Sequence, residues 1–116
     1  MIYKKIQSHA SGNYIKLSTH KSRKVLKQIQ GKNYQEAKLI LEFMPYKACK
    51  IIIKILKSAL HNISQKNNNN INKNNLIIKE AFVNRGPIIK KSRFRARART
   101  FSINKPTCHI TIKVTT

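Results

Sequence analysis

Residues 76–83 read Leu76-Ile77-Ile78-Lys79-Glu80-Ala81-Phe82-Val83, and here the chain changes its period. Upstream, apolar residues recur every three or four positions. In this stretch they alternate, with Leu76, Ile78, Glu80 and Phe82 on one face of a strand and Ile77, Lys79, Ala81 and Val83 on the other. Both faces are substantially apolar near the start. The final segment alternates more cleanly, Cys108, Ile110, Ile112 and Val114 facing one way and His109, Thr111 and Lys113 the other. The two strands are expected to pair. Residues 85–104 between them are too polar and charged to form core, yet lack the Pro, Gly and Ser density of a linker. They are read as a long antiparallel hairpin projecting from a small three-helix body.

That body is written in the residues before the strand. Ser18 or Thr19 caps a short first helix whose Val25, Leu26 and Ile29 share one face, and Gly31 stops it. Asn33, followed three residues later by Glu36, resembles a capping box and opens a second helix. Its apolar positions are Ala37, Ile40, Leu41 and Met44, up to Pro45. Pro45 suits the first turn of a third and longest helix. There Ala48, Ile52, Ile55, Leu56, Ala59 and Ile63 recur at helical spacing, while Lys47, Lys50, Lys54 and Lys57 fall on other faces. Residues 67–75, almost all Asn, form a low-complexity segment expected as a surface loop.

Lys and Arg number 25 against three acids, Glu36, Glu42 and Glu80, for a formal charge of +22 over 116 residues. A fold with that charge repels itself, so a polyanionic partner is expected. Nucleic acid and an anionic membrane surface are the two candidates; no run reaches the ~18 to 20 apolar residues that a membrane span requires, and the expected partners include no membrane. The first eight residues contain Lys4 and Lys5 but no following apolar block, and do not read as a secretory signal or a typical transit peptide.

Within the hairpin, Arg93-Phe94-Arg95-Ala96-Arg97-Ala98-Arg99 places an arginine at every second position. In an extended strand all four guanidiniums fall on one side. Arg85, Lys90, Lys91 and Lys105 add to them, and no acid follows Glu80. Arginine grips phosphate oxygens with paired hydrogen bonds that an ammonium cannot reproduce, and Phe94 is placed to stack on a base or to pack across the hairpin. A charge run is ordinarily a solvated face. The absence of neutralising acids favours a nucleic-acid backbone here, although nothing points to sequence-specific recognition.

Catalysis finds few candidates. With no Asp and three Glu, paired carboxylates and carboxylate-held metals are hard to assemble. His9, His20, His61 and His109 are scattered, and Cys108 and His109, as strand neighbours, point to opposite faces. The spacing of Cys49 and Cys108 matches no metal box, and both are expected as buried apolar thiols. No enzyme activity, cofactor or metal is expected.

In order along the chain, Lys21-Ser-Arg-Lys-Val25, Ile29-Gln-Gly-Lys32, Glu36-Ala37, Leu41-Glu-Phe-Met-Pro-Tyr46, Leu56-Lys-Ser-Ala59, Gly86-Pro87, Lys90-Lys91, Arg95-Ala96-Arg97 and Thr107-Cys-His-Ile-Thr-Ile112 resemble the large-subunit ribosomal protein twenty-two family in its chloroplast form. The resemblance covers residues 15–114. It implies an α/β fold, a compact body of three helices packed on a small antiparallel sheet with the long β-hairpin projecting from it. In these terms the chain is one domain, with a body at about 10–84 and 104–115 and a basic arm at about 85–103. It further implies a plastid large ribosomal subunit and a structural role on 23S-type rRNA, with the hairpin lining the nascent-polypeptide exit tunnel. Expected partners are that rRNA, neighbouring large-subunit proteins and the nascent chain at the hairpin tip, without homo-oligomerisation. Contacts carried over by position are Lys21, Arg23, Lys32, Ser58, Asn62, Lys90, Lys91, Arg95, Arg97, Arg99 and His109. The family often has acids where this chain has Asn84-Arg85, and a glycine near the tip where it has Ala98, so the turn either bends elsewhere or is held by RNA.

Two other classes compete. In one, the first two helices, joined near Gly31, act as a free helix-turn-helix with Gln35, Lys38 and Glu42 on the recognition face. In the other, residues 45–66 form a membrane-active cationic helix.

Overall fold

A computed structural model describes residues 6–66, 75–95 and 99–116, with the backbone but not the side chains of 91–95 and 99–104. The expected low-complexity loop therefore lies outside the described residues, save Asn75, as do Arg97 and Ala98 at the expected tip. The element order is β1 (Gln7–Ile15), α1 (Thr19–Ile29), α2 (Tyr34–Phe43), α3 (Lys47–Lys66), β2 (Ile77–Arg85), β3 (Ile89–Arg95), β4 (Arg99–Lys105) and β5 (Cys108–Thr115). The fold is α/β, with three helices packed on a small antiparallel sheet.

β5 is the centre of that sheet, in the order β1-β5-β2, both neighbours antiparallel. Its central place follows from its pattern: Cys108, Ile110, Ile112 and Val114 are all buried and meet the helices, while His109, Thr111 and Lys113 face away. β2 pairs with β5 as expected, but its faces do not alternate as the residues suggest. Leu76 and Ile78 are buried and so are Ala81 and Val83, whereas Phe82 is exposed. A β-bulge between Ile78 and Glu80 inserts one extra residue and reverses the parity. That is why both faces of the stretch read as apolar.

β1 carries no comparable sequence signal. Its buried positions are Ser8 and Ala10, followed by the half-buried Gly12. α3 packs on this strand, and at Gly12 a Cβ would come 2.7 Å from Ile15 Cδ1 and 2.9 Å from Ile55 Cδ1. An alternation of small residues looks polar in sequence although it lines the core.

Among the helices, α1 packs on β2, and α3 packs on β1 and β5. α3 buries Ala48, Cys49, Ile52, Ile55, Leu56, Ala59, Leu60 and Ile63, and each fully buried Ile or Leu contributes about 1.5–3 kcal/mol relative to exposure. It begins at Lys47, so Pro45 precedes it rather than forming its first turn. Gly31, at φ +82°, takes the left-handed conformation after α1 that a side chain resists. The turn that follows is bonded to the sheet: Gly31 N–H donates to Ile78 O, Ile78 N–H to Lys32 O and Tyr34 N–H to Leu76 O, each at 2.9 Å.

β3 and β4 pair with each other in a separate two-stranded sheet, from Ile89 opposite Lys105 to Arg95 opposite Arg99. The radius of gyration, 17.8 Å, exceeds the roughly 13 Å of a compact chain of this length. The principal extents are 74 × 25 × 18 Å.

Candidate nucleic-acid interface

α1 turns Ser22, Val25, Leu26 and Ile29 inward, which leaves Lys21, Arg23, Lys24 and Lys27 exposed on its other faces with no acid in the helix. Lys21 borders a cleft of about 470 Å³ between the start of α1 and the start of α3. Leu17, Pro45, Tyr46 and Ala48 line it, and Lys16, Lys24 and Lys47 share its rim. Only Lys21 of these four is foreseeable as a contact. Positions 16 and 47 meet at this cleft, and no spacing in the sequence announces it. Arg23 and Lys32 are exposed but belong to neither this cleft nor the hairpin base.

At the hairpin base, Arg85 ends β2 opposite Cys108 and borders a second hollow of about 320 Å³ with Ser18, Thr19, His20, Gly86, Ile88, Pro106 and Thr107. The N-terminus of α1 and the root of the hairpin thus share one surface. Gly86 N–H donates to Thr107 O at 2.9 Å, and the Thr107 hydroxyl donates to Pro87 O, closing the root. His109 lies beside it. Its Nδ1 accepts the Tyr14 N–H at 3.1 Å, and the two rings meet edge to face at 4.9 Å. With Nδ1 an acceptor, the ring proton sits on Nε2, which is the donor left for a ligand. Tyr14, exposed and at φ +55° in the β1 irregularity, is the positioning partner missed in the sequence. Its role depends on backbone geometry.

On α3, Ser58 is exposed and Asn62 half-buried one turn later. The Asn62 amide donates to His9 O at 2.9 Å, and Lys66 Nζ to Gln7 O at 3.0 Å, so this end of the helix ties down the edge of β1. Lys90 and Lys105 are exposed on β3 and β4. Lys91, Arg93, Arg95 and Arg99 take backbone places in those strands. β3 and β4 carry six cations and no acid.

Among the described residues one ion pair forms, Lys113 with Glu80 at 3.4 Å, both about half exposed and so of little energetic worth. No other described cation lies within ion-pair distance of a described carboxylate. Cys49 and Cys108 are free and buried, and burial pushes both thiols up, away from the thiolate a nucleophile or ligand needs. Among the described residues no group of His, Cys, Asp and Glu is placed to hold a metal, and no helix is long and apolar enough to cross a membrane.

Residues 10–115 match the family model described as ribosomal protein L22p/L17e. A large ribosomal subunit protein uL22c of Gracilaria tenuistipitata is 56% identical over 114 residues, 98% of this chain and 97% of that protein. Proteins of the same description from Porphyra purpurea and Physcomitrium patens are 54% and 47% identical, over 93% and 94% of this chain and 91% of each relative. The family match spans the sheet, the three helices and the basic hairpin alike, and with relatives this similar over nearly the whole length, the chain belongs to the ribosomal protein L22p/L17e family.

Proposed function

We propose that the protein is a non-catalytic structural constituent of the large subunit of plastid ribosomes, where it binds 23S-type rRNA and its basic hairpin lines the nascent-polypeptide exit tunnel. The observation that carries this reading is the acid-free ribbon of β3 and β4, joined at its root to the cationic start of α1. Phosphates neutralised along such a ribbon release condensed counterions, and arginine supplies the paired geometry they need. The proposed contacts are Lys21, Arg23, Lys32, Ser58, Asn62, Arg85, Lys90, Lys91, Arg93, Arg95, Arg97, Arg99, Lys105 and His109. The large-subunit names of the relatives support the assembly, and their uL22c designation supports the plastid. Neighbouring subunit proteins and the nascent chain are the further partners.

The helix-turn-helix alternative is less well supported. The joint between α1 and α2 is bonded into the edge of β2, and α2 exposes Glu36, Leu39, Glu42 and Phe43, which suit no phosphate backbone. The test is a salt series. Changing Arg93, Arg95, Arg97 and Arg99 together to Ala should weaken binding to large-subunit rRNA and flatten the slope of log K against log salt by roughly 0.7–0.9 per lost phosphate contact. An unchanged slope overturns the hairpin as the phosphate-binding element.

A further inference from the structure

α2 departs from the rest of the surface. α1 has four cations and α3 five, each with no acid, whereas α2 holds one lysine against two of the three glutamates in the chain. Its core side is Tyr34, Ala37 and Leu41. On the opposite side Leu39 and Phe43, four residues apart, form one apolar stripe. Helical spacing sets Glu42 along one flank of that stripe and Glu36 along the other. Leu39 is 54% exposed, Phe43 82%, and Tyr46, just past the helix end, 54%. An aromatic side chain so open to water is costly on a solvent face and typical of a contact surface.

We propose that the outer face of α2, Leu39 and Phe43 flanked by Glu36 and Glu42 with Tyr46 at its end, is a docking surface for a protein that presents an apolar patch bordered by lysine or arginine. This rests on the large-subunit reading of the chain. Charge complementarity selects the occupant. An RNA backbone would meet two carboxylates here, although cationic surface free of acids is available on α1 and α3. A cationic protein would satisfy both glutamates while covering the stripe. Other proteins packed among rRNA face the same polyanion, and basic residues around an apolar patch are the chemistry expected of them.

The test places a photo-crosslinking phenylalanine analogue at Phe43 of the full chain, a site exposed enough to leave the fold intact, and assembles it into large subunits. Irradiation should yield a cross-link to one other subunit protein, mapping to a peptide with Lys or Arg beside apolar residues. Combining Glu36→Lys and Glu42→Lys should lower that yield at least tenfold while the chain still co-sediments with the subunit. A cross-link to rRNA, a cross-link to a second copy of this chain, no cross-link at all, or a yield unmoved by charge reversal overturns the inference alone. Failure of the unaltered chain to enter large subunits overturns the functional reading as well, and sedimentation separates the two cases.

Discussion

Gly86 stands where the body hands over to the hairpin, and its missing side chain has a definite use. A Cβ there would lie 2.5 Å from Thr107 Oγ1, 3.2 Å from the Thr107 carbonyl and 3.3 Å from His109 Cε1. The Thr107 hydroxyl is committed to Pro87 O, so it is not free to yield. Gly86→Ala should therefore destabilise the protein by about 1–3 kcal/mol, read as a lower urea midpoint, because the added methyl must push backbone as well as side chain. It should also disturb the Tyr14–His109 hydrogen bond, visible as a shift of the His109 ring resonances. The pair Gly86-Pro87 is legible in the sequence as a motif. What it accommodates, the Thr107 side chain and the His109 ring, is not, since those residues lie about twenty positions away.

Among the elements, the helix starts can be told apart by their caps. Asn33 Oδ1 accepts the Glu36 N–H at 2.9 Å, the capping bond expected from the Asn33 to Glu36 spacing. Ser18 occupies the corresponding position before α1, yet its side chain makes no such bond. Asn33→Ala should cost about 0.5–2 kcal/mol in chemical denaturation, whereas Ser18→Ala should change the midpoint little. Equal losses would count against this assignment of the caps. Sequence pattern was most informative for helices whose apolar stripe faces one layer, such as α3 with Ile52, Leu56, Ala59 and Ile63. It was least informative for strands with an irregularity or a close neighbour. The bulge at Ile78–Glu80 has no residue signature, and at Gly12 the side chains of Ile15 and Ile55 occupy the space a Cβ would need.

Over the whole molecule, charge sets the balance between a stable free protein and one completed by a partner. A net charge of +22, with one exposed ion pair among the described residues, means strong self-repulsion at low ionic strength. Salt shortens the screening length from about 30 Å at 0.01 M to about 3 Å at 1 M. The free protein should therefore melt higher as NaCl rises, by roughly 4–8 °C for each ~1 kcal/mol of relieved repulsion, in a calorimetric or circular-dichroism series. Its affinity for rRNA should fall over the same range, so that the two curves run in opposite directions. A melting temperature independent of salt would show that the folded chain tolerates its own charge. The polycation, the three helices, the pairing of residues 76–83 with the last strand and the family resemblance are all legible in the chain's residues, because periodicity, capping and ordered motifs are local properties. Packing of the layers is what brings β1 into the sheet, Lys16 and Lys47 to Lys21 around one cleft, the Tyr14 N–H to His109, and the acids of α2 to the flanks of an exposed apolar stripe. Each of these depends on residues distant in sequence, or on a helix face left uncovered, and such placements arise only when the layers pack.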